Sequence, residues 1–242
     1  MSKDYFDFKK FRVWHHASAM KVGTDAVVLG CLVPTTSISN TILDIGTGTG
    51  IIALMLAQRN PEASITAIEI DIAAAQQANY NFEQSIFASQ LKCVPISVQN
   101  FALTANQKFD LIVSNPPFFE KHANAAIADN ARSLARQDVA LSFHDLAHSV
   151  SILLQNQGCF WLILPVQEAQ VFALAAASFS LNLSQQINII PRQGKASNRV
   201  VQCYQMGHNK LLTTELILKN EAGLPSQEYI DLSRDFYLRI DL

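Results

Sequence analysis

The chain lacks paired cysteines: Cys31, Cys93, Cys159 and Cys203 lie far apart, with no CxxC anywhere. That usage fits reduced, buried thiols and a cytoplasmic protein. Neither disulfides nor a metal are needed, because 242 residues can bury roughly 70–75% of their unfolded surface. Long apolar runs are also missing. The most apolar stretches, Ile51 to Ala57 and Cys159 to Val166, fall far short of the ~20 residues that span a bilayer. The opening MSKDYFDFKKF mixes charges with aromatics and lacks the apolar stretch of a signal peptide. Nor does one sign of charge dominate, since 18 basic and 20 acidic side chains leave a formal net charge of −2. A protein held to nucleic acid by bulk electrostatics is usually basic, so any such partner must be met by a local patch. With 49% hydrophobic and only 16% charged residues, disordered and fibrous classes are excluded. The length fits one large α/β domain or a compact pair, and a monomer is expected.

What is present is an alternation of short apolar runs and helical patterns from about Thr41 onward. TILDI, SITAIEI, Leu91 to Ser97, FDLIVSN and GCFWLILP read as strands. Helices are expected over Gly50 to Arg59, Ile72 to Ser85, Phe143 to Gln155 and Val166 to Phe179. Strands separated by helices predict a doubly wound, mostly parallel sheet covered on both faces. Leu183 to Ile190, Arg199 to Met206 and Leu211 to Leu218 follow without long helices between them, so an antiparallel carboxyl-terminal edge is expected. A last helix, Ser226 to Leu238, opens on a Ser226 cap. Residues 1–40 stand outside the alternation and are expected to pack across the domain or its site.

The first informative motif is LDIGTGTG, Leu43 to Gly50. A strand ends at Ile45, and Gly46, Gly48 and Gly50 then permit a tight turn that a ligand can approach, with a helix behind it. The dinucleotide fingerprint GxGxxG needs glycine where this chain has Ile51. Instead, GxGxG after Asp44 resembles motif I of the S-adenosylmethionine-dependent methyltransferases. Glu69 closes the next strand, 19 residues beyond Gly50, where an acid can accept both hydroxyls of a ribose. An ordinary glycine turn with a surface acid is the simpler alternative.

The second motif is Asn115-Pro116-Pro117-Phe118, directly after FDLIVS. Asn115 precedes proline and is pushed into an extended shape that aims its amide from the strand end. The two prolines fix φ and remove competing donors, leaving the Pro116 carbonyl as an acceptor. The two oxygens can accept both hydrogens of one exocyclic amine and strengthen as its nitrogen gains charge. Phe118 offers a flat face for a base to stack on. A rigid turn is the alternative. The order of glycine loop, acid and NPPF resembles the amino-methyltransferases of nucleobases and glutamine side chains, which share an Asp/Asn/Ser-Pro-Pro-aromatic loop.

FRVWHHASAMKVGTDAVVLG, LDIGTGTGIIALMLAQR, FDLIVSNPPFF and PRQGKASNRVV, in this order over nearly the whole chain, resemble the bacterial tRNA (adenine-N6) methyltransferases. That family modifies adenosine beside the anticodon of a valine tRNA. The resemblance implies one Rossmann-like methyltransferase domain over residues 1–242, S-adenosylmethionine as cofactor and tRNA as partner. It places Lys21, Gly23, Thr24 and Asp25 near the methionine end of the cofactor, with Asp44 and the backbone of Gly46 to Gly50 lining the same site. Two positions depart from the family. Val98 stands where an acid usually binds the adenine amine, with Asn100 or a backbone group as substitute, and Phe118 replaces the commoner tyrosine. Phe118 suits the ribosomal guanine-N2 enzymes equally well.

Arg192, Lys195, Arg199 and Lys210 cluster late in the chain against few acids, forming either a local phosphate patch or a solvated loop. Arg132 and Arg136, four apart, either reach phosphates beside the target base or solvate a helix face. HDLAH, with His144 and His148, superficially matches a zinc helix, but a third ligand is not evident and a plain helix surface is expected.

Overall fold

The structure, a computed structural model, describes residues 4–15, 22–34, 40–116, 141–207 and 210–239. A hairpin of β1 (Tyr5–Asp7) and β2 (Arg12–Trp14) precedes α1 (Thr24–Leu32). The alternation follows as β3 (Thr41–Ile45), α2 (Ile51–Arg59), β4 (Ser64–Glu69), α3 (Ile72–Glu83), β5 (Leu91–Pro95), α4 (Val98–Thr104) and β6 (Phe109–Ser114). Then come α5 (Phe143–Leu153), β7 (Leu154–Pro165), α6 (Val166–Ala177), β8 (Leu181–Ile190), β9 (Arg199–Met206), β10 (Leu212–Ile217) and α7 (Gln227–Ser233).

Eight strands form one sheet in the order β10-β8-β9-β7-β6-β3-β4-β5. β5, β4, β3, β6 and β7 run parallel, and β9 lies antiparallel to both β7 and β8. β10, expected to be antiparallel, instead pairs in parallel with β8 at the sheet's edge. β9 ends with Met206 opposite Leu181, the start of β8, and β10 pairs on the far side of β8, so it runs opposite to β9 without being its hydrogen-bonded neighbour. Strand order reverses between β3 and β6, and open α/β sheets bind ligands outside the carboxyl ends of the strands at such a point.

Side chains alternate along the strands, because successive residues of a strand face opposite ways. Ile42, Leu111, Val113, Trp161 and Ile163 enter one apolar layer with α1, α2 and the hairpin. Leu43, Ile45, Ile112, Phe160 and Leu162 enter the other, with α4, α5 and α6. Helix α2 is apolar all round because it lies between sheet and α1, with Ile51 to Ala57 all buried. At its end Arg59 donates to the carbonyls of Gly30, Cys31 and Val33 at 3.0, 3.0 and 2.8 Å. One guanidinium thus satisfies the open carbonyl end of α1. Asp71, Ser97, Ser142 and Ser226 cap α3, α4, α5 and α7 through their side-chain oxygens.

Several elements differ from expectation. β5 stops at Pro95, and Ser97 starts the short helix α4, which periodicity did not reveal in seven residues. The final helix is only Gln227–Ser233. β7 begins at Leu154, directly where α5 ends.

Candidate active site

The carboxyl ends of β3 and β6 lie side by side, with Ile45 opposite Ser114. The Ser114 hydroxyl, fully buried, donates to the Ile45 carbonyl at 2.9 Å. That bond ties the strand entering the glycine loop to the strand entering Asn115. Asn115 is half-buried and Pro116 buried. Pro117, Phe118, Arg132, Arg136 and Lys21 lie outside the described residues.

The loop after β3 is held from below. The Gly46 and Thr47 amides donate to the Ile68 carbonyl at 2.9 and 3.1 Å, and the Gly48 amide to Glu69 Oε2 at 3.0 Å. The second oxygen of Glu69 accepts the Asp71 amide at 3.0 Å. A carboxylate has about four acceptor positions, so Glu69 keeps capacity for further donors while it braces the loop. Gly46 and Gly48 have positive φ, and a Cβ on either would meet nothing within 4 Å. Their surroundings are open, as a ligand-facing turn requires. Gly50 is different, since its φ is +83° and a Cβ would lie 2.4 Å from the Phe82 ring. Its glycine serves packing against α3 rather than ligand approach.

Asp44 is fully buried beneath this loop. Its Oδ2 accepts the Thr47 hydroxyl at 2.5 Å, while its Oδ1 is buried with no hydrogen-bond partner among the described residues. Burial pushes its carboxyl up to about 7, with the Glu69 charge adding to the rise and the Thr47 hydroxyl and Ala53 amide opposing it. Between the ordinary carboxyl pKa near 4 and about 7, the unfolded chain therefore releases a proton that the folded chain retains. Stability should fall as pH rises through that window, by up to about 4 kcal/mol from this group. Urea unfolding at pH 5 and pH 8 checks this: Asp44→Asn should remove most of the decline. An unchanged pH slope in the variant would assign it to other groups.

Asn81, which the sequence reading did not single out, joins the loop to the amino-terminal hairpin. It is fully buried on α3, and its Nδ2 donates to the Thr49 carbonyl at 2.8 Å and the Trp14 carbonyl at 2.9 Å. Its Oδ1 accepts the Trp14 amide at 2.9 Å. Nothing in an Ala- and Gln-rich helix marks one asparagine among its polar residues. Val98, the expected place of an acid, is buried in the second apolar layer. Asn100 is exposed, its amide donating to Ser97 Oγ at 3.3 Å.

At the start of α1, Gly23 is the cap residue and Thr24 is exposed. Asp25 Oδ2 accepts from Arg199 Nε at 3.0 Å. Arg199 opens β9 opposite Pro165, the end of β7. The pair therefore fixes the start of α1 at the carboxyl edge of the sheet. Within the late cluster, Arg199 is thus engaged by an acid, whereas Arg192 and Lys195 are exposed. His144 and His148 are exposed and pack on the Phe179 ring. Among the described residues, no group of three His, Cys, Asp or Glu could hold a metal, and no helix is long and apolar enough to cross a membrane.

Residues 17–140 match the model of the methyltransferase small domain family. A tRNA1(Val) (adenine(37)-N6)-methyltransferase of Bacteroides fragilis is 41% identical over 244 residues, spanning 99% of this chain and 100% of that protein. One of the same name from Actinobacillus succinogenes is 38% identical, spanning 97% of both chains. Among solved structures, one described as a predicted O-methyltransferase from Agrobacterium tumefaciens superposes with a TM-score of 0.68 at 20% identity, covering 88% of this chain and 96% of that one. That last likeness is one of fold.

Proposed function

Because the chain belongs to the methyltransferase small domain family and, within it, to the tRNA1(Val) (adenine(37)-N6)-methyltransferases, we propose that it methylates N6 of adenine 37 in a valine tRNA. It is an S-adenosylmethionine-dependent methyltransferase. A tRNA substrate puts the reaction in the cytoplasm, which the scattered thiols suit.

The observation that carries the chemistry is Asn115 at the end of β6, held beside the glycine loop by the Ser114 to Ile45 bond. The residues around the loop fit the cofactor. Gly46 and Gly48 leave room for a ligand, Glu69 keeps acceptor positions for ribose hydroxyls, and the orphaned Asp44 Oδ1 suits a cationic group. When bound, S-adenosylmethionine would supply an electrophilic methyl group, its S–CH3 bond breaking to leave the neutral thioether S-adenosylhomocysteine. The Asn115 side-chain oxygen and the Pro116 carbonyl accept the two hydrogens of N6, which aims the nitrogen lone pair at the methyl carbon. As the new C–N bond forms, the nitrogen becomes positive and both hydrogen bonds strengthen. The extra proton then leaves to water, and the pair's proximity supplies most of the rate. By its residue type, Phe118 suits stacking on an extruded base.

Mass analysis of nucleosides after incubating unmodified total RNA with the protein and cofactor tests this reading. N6-methyladenosine should appear in the tRNA fraction, at the adenosine beside the valine anticodon. N2-methylguanosine in ribosomal RNA, with unmodified tRNA adenosine, would overturn it.

A further inference from the structure

We infer that the two loops at the carboxyl ends of β8 and β10 form the surface that grips the RNA backbone beside the target base, with Arg192, Lys195 and Lys219 as its charges. The inference rests on the RNA substrate proposed above.

The sheet topology places this surface. β9 is antiparallel to β7, and β8 is antiparallel to β9, so β8 ends on the same side as β6 and β7. β10, being parallel to β8, ends there too, with Ile217 opposite Ile190. Both loops therefore open on the side where Asn115 leaves β6. Neighbouring strands lie about 4.8 Å apart, which puts β8 and β10 roughly 14 and 19 Å from β6 across the sheet. That is the reach of a few nucleotides flanking a base held at Asn115.

The loops are also fixed to each other. The Gln193 amide donates to the Lys219 carbonyl at 2.8 Å and Leu218 to Ile190 at 2.8 Å, while the Lys195 amide donates to the Arg192 carbonyl at 2.9 Å within the first loop. The Arg192 guanidinium bonds the Glu221 carbonyl, and Gln193 Nε2 donates to the Glu221 carboxylate at 3.3 Å. Arg192, Lys195 and Lys219 are all exposed, and Glu221 is the acid among them. Three cations on a braced ribbon suit a phosphate backbone, because their positions need little ordering on binding. Lys219 was not visible as a member in the sequence, where it lies 20 residues beyond Arg199. Lys210 was grouped with the cluster but precedes β10, so at about 3.3 Å per residue a strand of roughly 17 Å separates it from these loops.

Binding of a valine tRNA anticodon arm to the full chain, measured at several salt concentrations, tests the surface. Lys195→Glu with Lys219→Glu should weaken binding about 10- to 100-fold at 0.1 M salt and flatten the salt slope by about 2. Lys210→Glu changes net charge as one of these substitutions does and should leave both nearly unaltered. The alanine pair should shift binding in the same direction by less, and cofactor affinity should hold in every variant. In methyl transfer the glutamate pair should raise KM for RNA while kcat at saturation stays within about twofold. Equal losses with Lys210→Glu, or an unchanged salt slope in the glutamate pair, would overturn the surface. If the wild type shows this salt response yet methylates another nucleoside, the surface stands and the adenine assignment falls.

Discussion

Asn115→Ala is expected to lower kcat by about 10²–10³, the scale on which one preorganised polar group acts at a reacting centre. The loss belongs to the transition state, because the acceptor gains strength only as N6 becomes positive. KM for the cofactor should hardly move, since the proposed cofactor contacts at Glu69 and the glycine loop do not involve Asn115. Folding should also be nearly unaffected, as the β6 end is held through the buried Ser114 hydroxyl and the sheet ladder. Phe118→Ala should behave differently, raising KM for RNA through lost stacking of roughly 1–3 kcal/mol. Phe118→Tyr keeps the ring face and most activity. Single-turnover methyl transfer to unmodified tRNA separates these effects. Full activity in Asn115→Ala would reduce the tetrapeptide to a turn and remove its catalytic role.

Glu69→Ala should weaken S-adenosylmethionine binding by about 10²–10³-fold. Hydrogen bonds to a charged partner contribute roughly 1.5–3 kcal/mol each. The proposed ribose contacts are lost together with the carboxylate that braces Gly48. The protein should remain folded, because the freed amides of Gly48 and Asp71 are not buried and water can replace the acid. Glu69→Gln retains one oxygen acceptor and should fall between the two. Calorimetry with the cofactor gives the affinities, and NAD is the control ligand. Tighter binding of NAD than of the sulfonium compound would contradict the cofactor assignment.

The parts of the protein legible in the sequence were those carried by local rules. TILDI, SITAIEI and FDLIVS are strands because runs of β-branched residues between turn formers fit a buried pleat, and all three bounds were close. The glycine loop was legible because three glycines at alternate positions after a strand answer a backbone need. Asn115-Pro116 was legible because proline restricts its own φ and its neighbour's. The membership of the family was carried by the same short stretches taken in order.

Only the tertiary structure decided relations between distant residues. Whether β10 pairs in parallel depends on which strand forms the edge it joins, and no pattern within Leu212–Ile217 encodes that. Asp25 and Arg199 were placed in two separate roles from sequence, yet sheet packing brings their side chains within 3.0 Å. Asn81 became a bracket for the loop because α3 lies against both Thr49 and Trp14. Lys210 and Lys219, nine residues apart, fall at opposite ends of one strand. The physical reason is common to all four. A strand or turn is selected by steric preferences of neighbouring residues, whereas contacts across the fold follow from how whole elements stack. The sequence by itself therefore determined the chemistry available at the site, and the sheet topology decided which charges stand beside it.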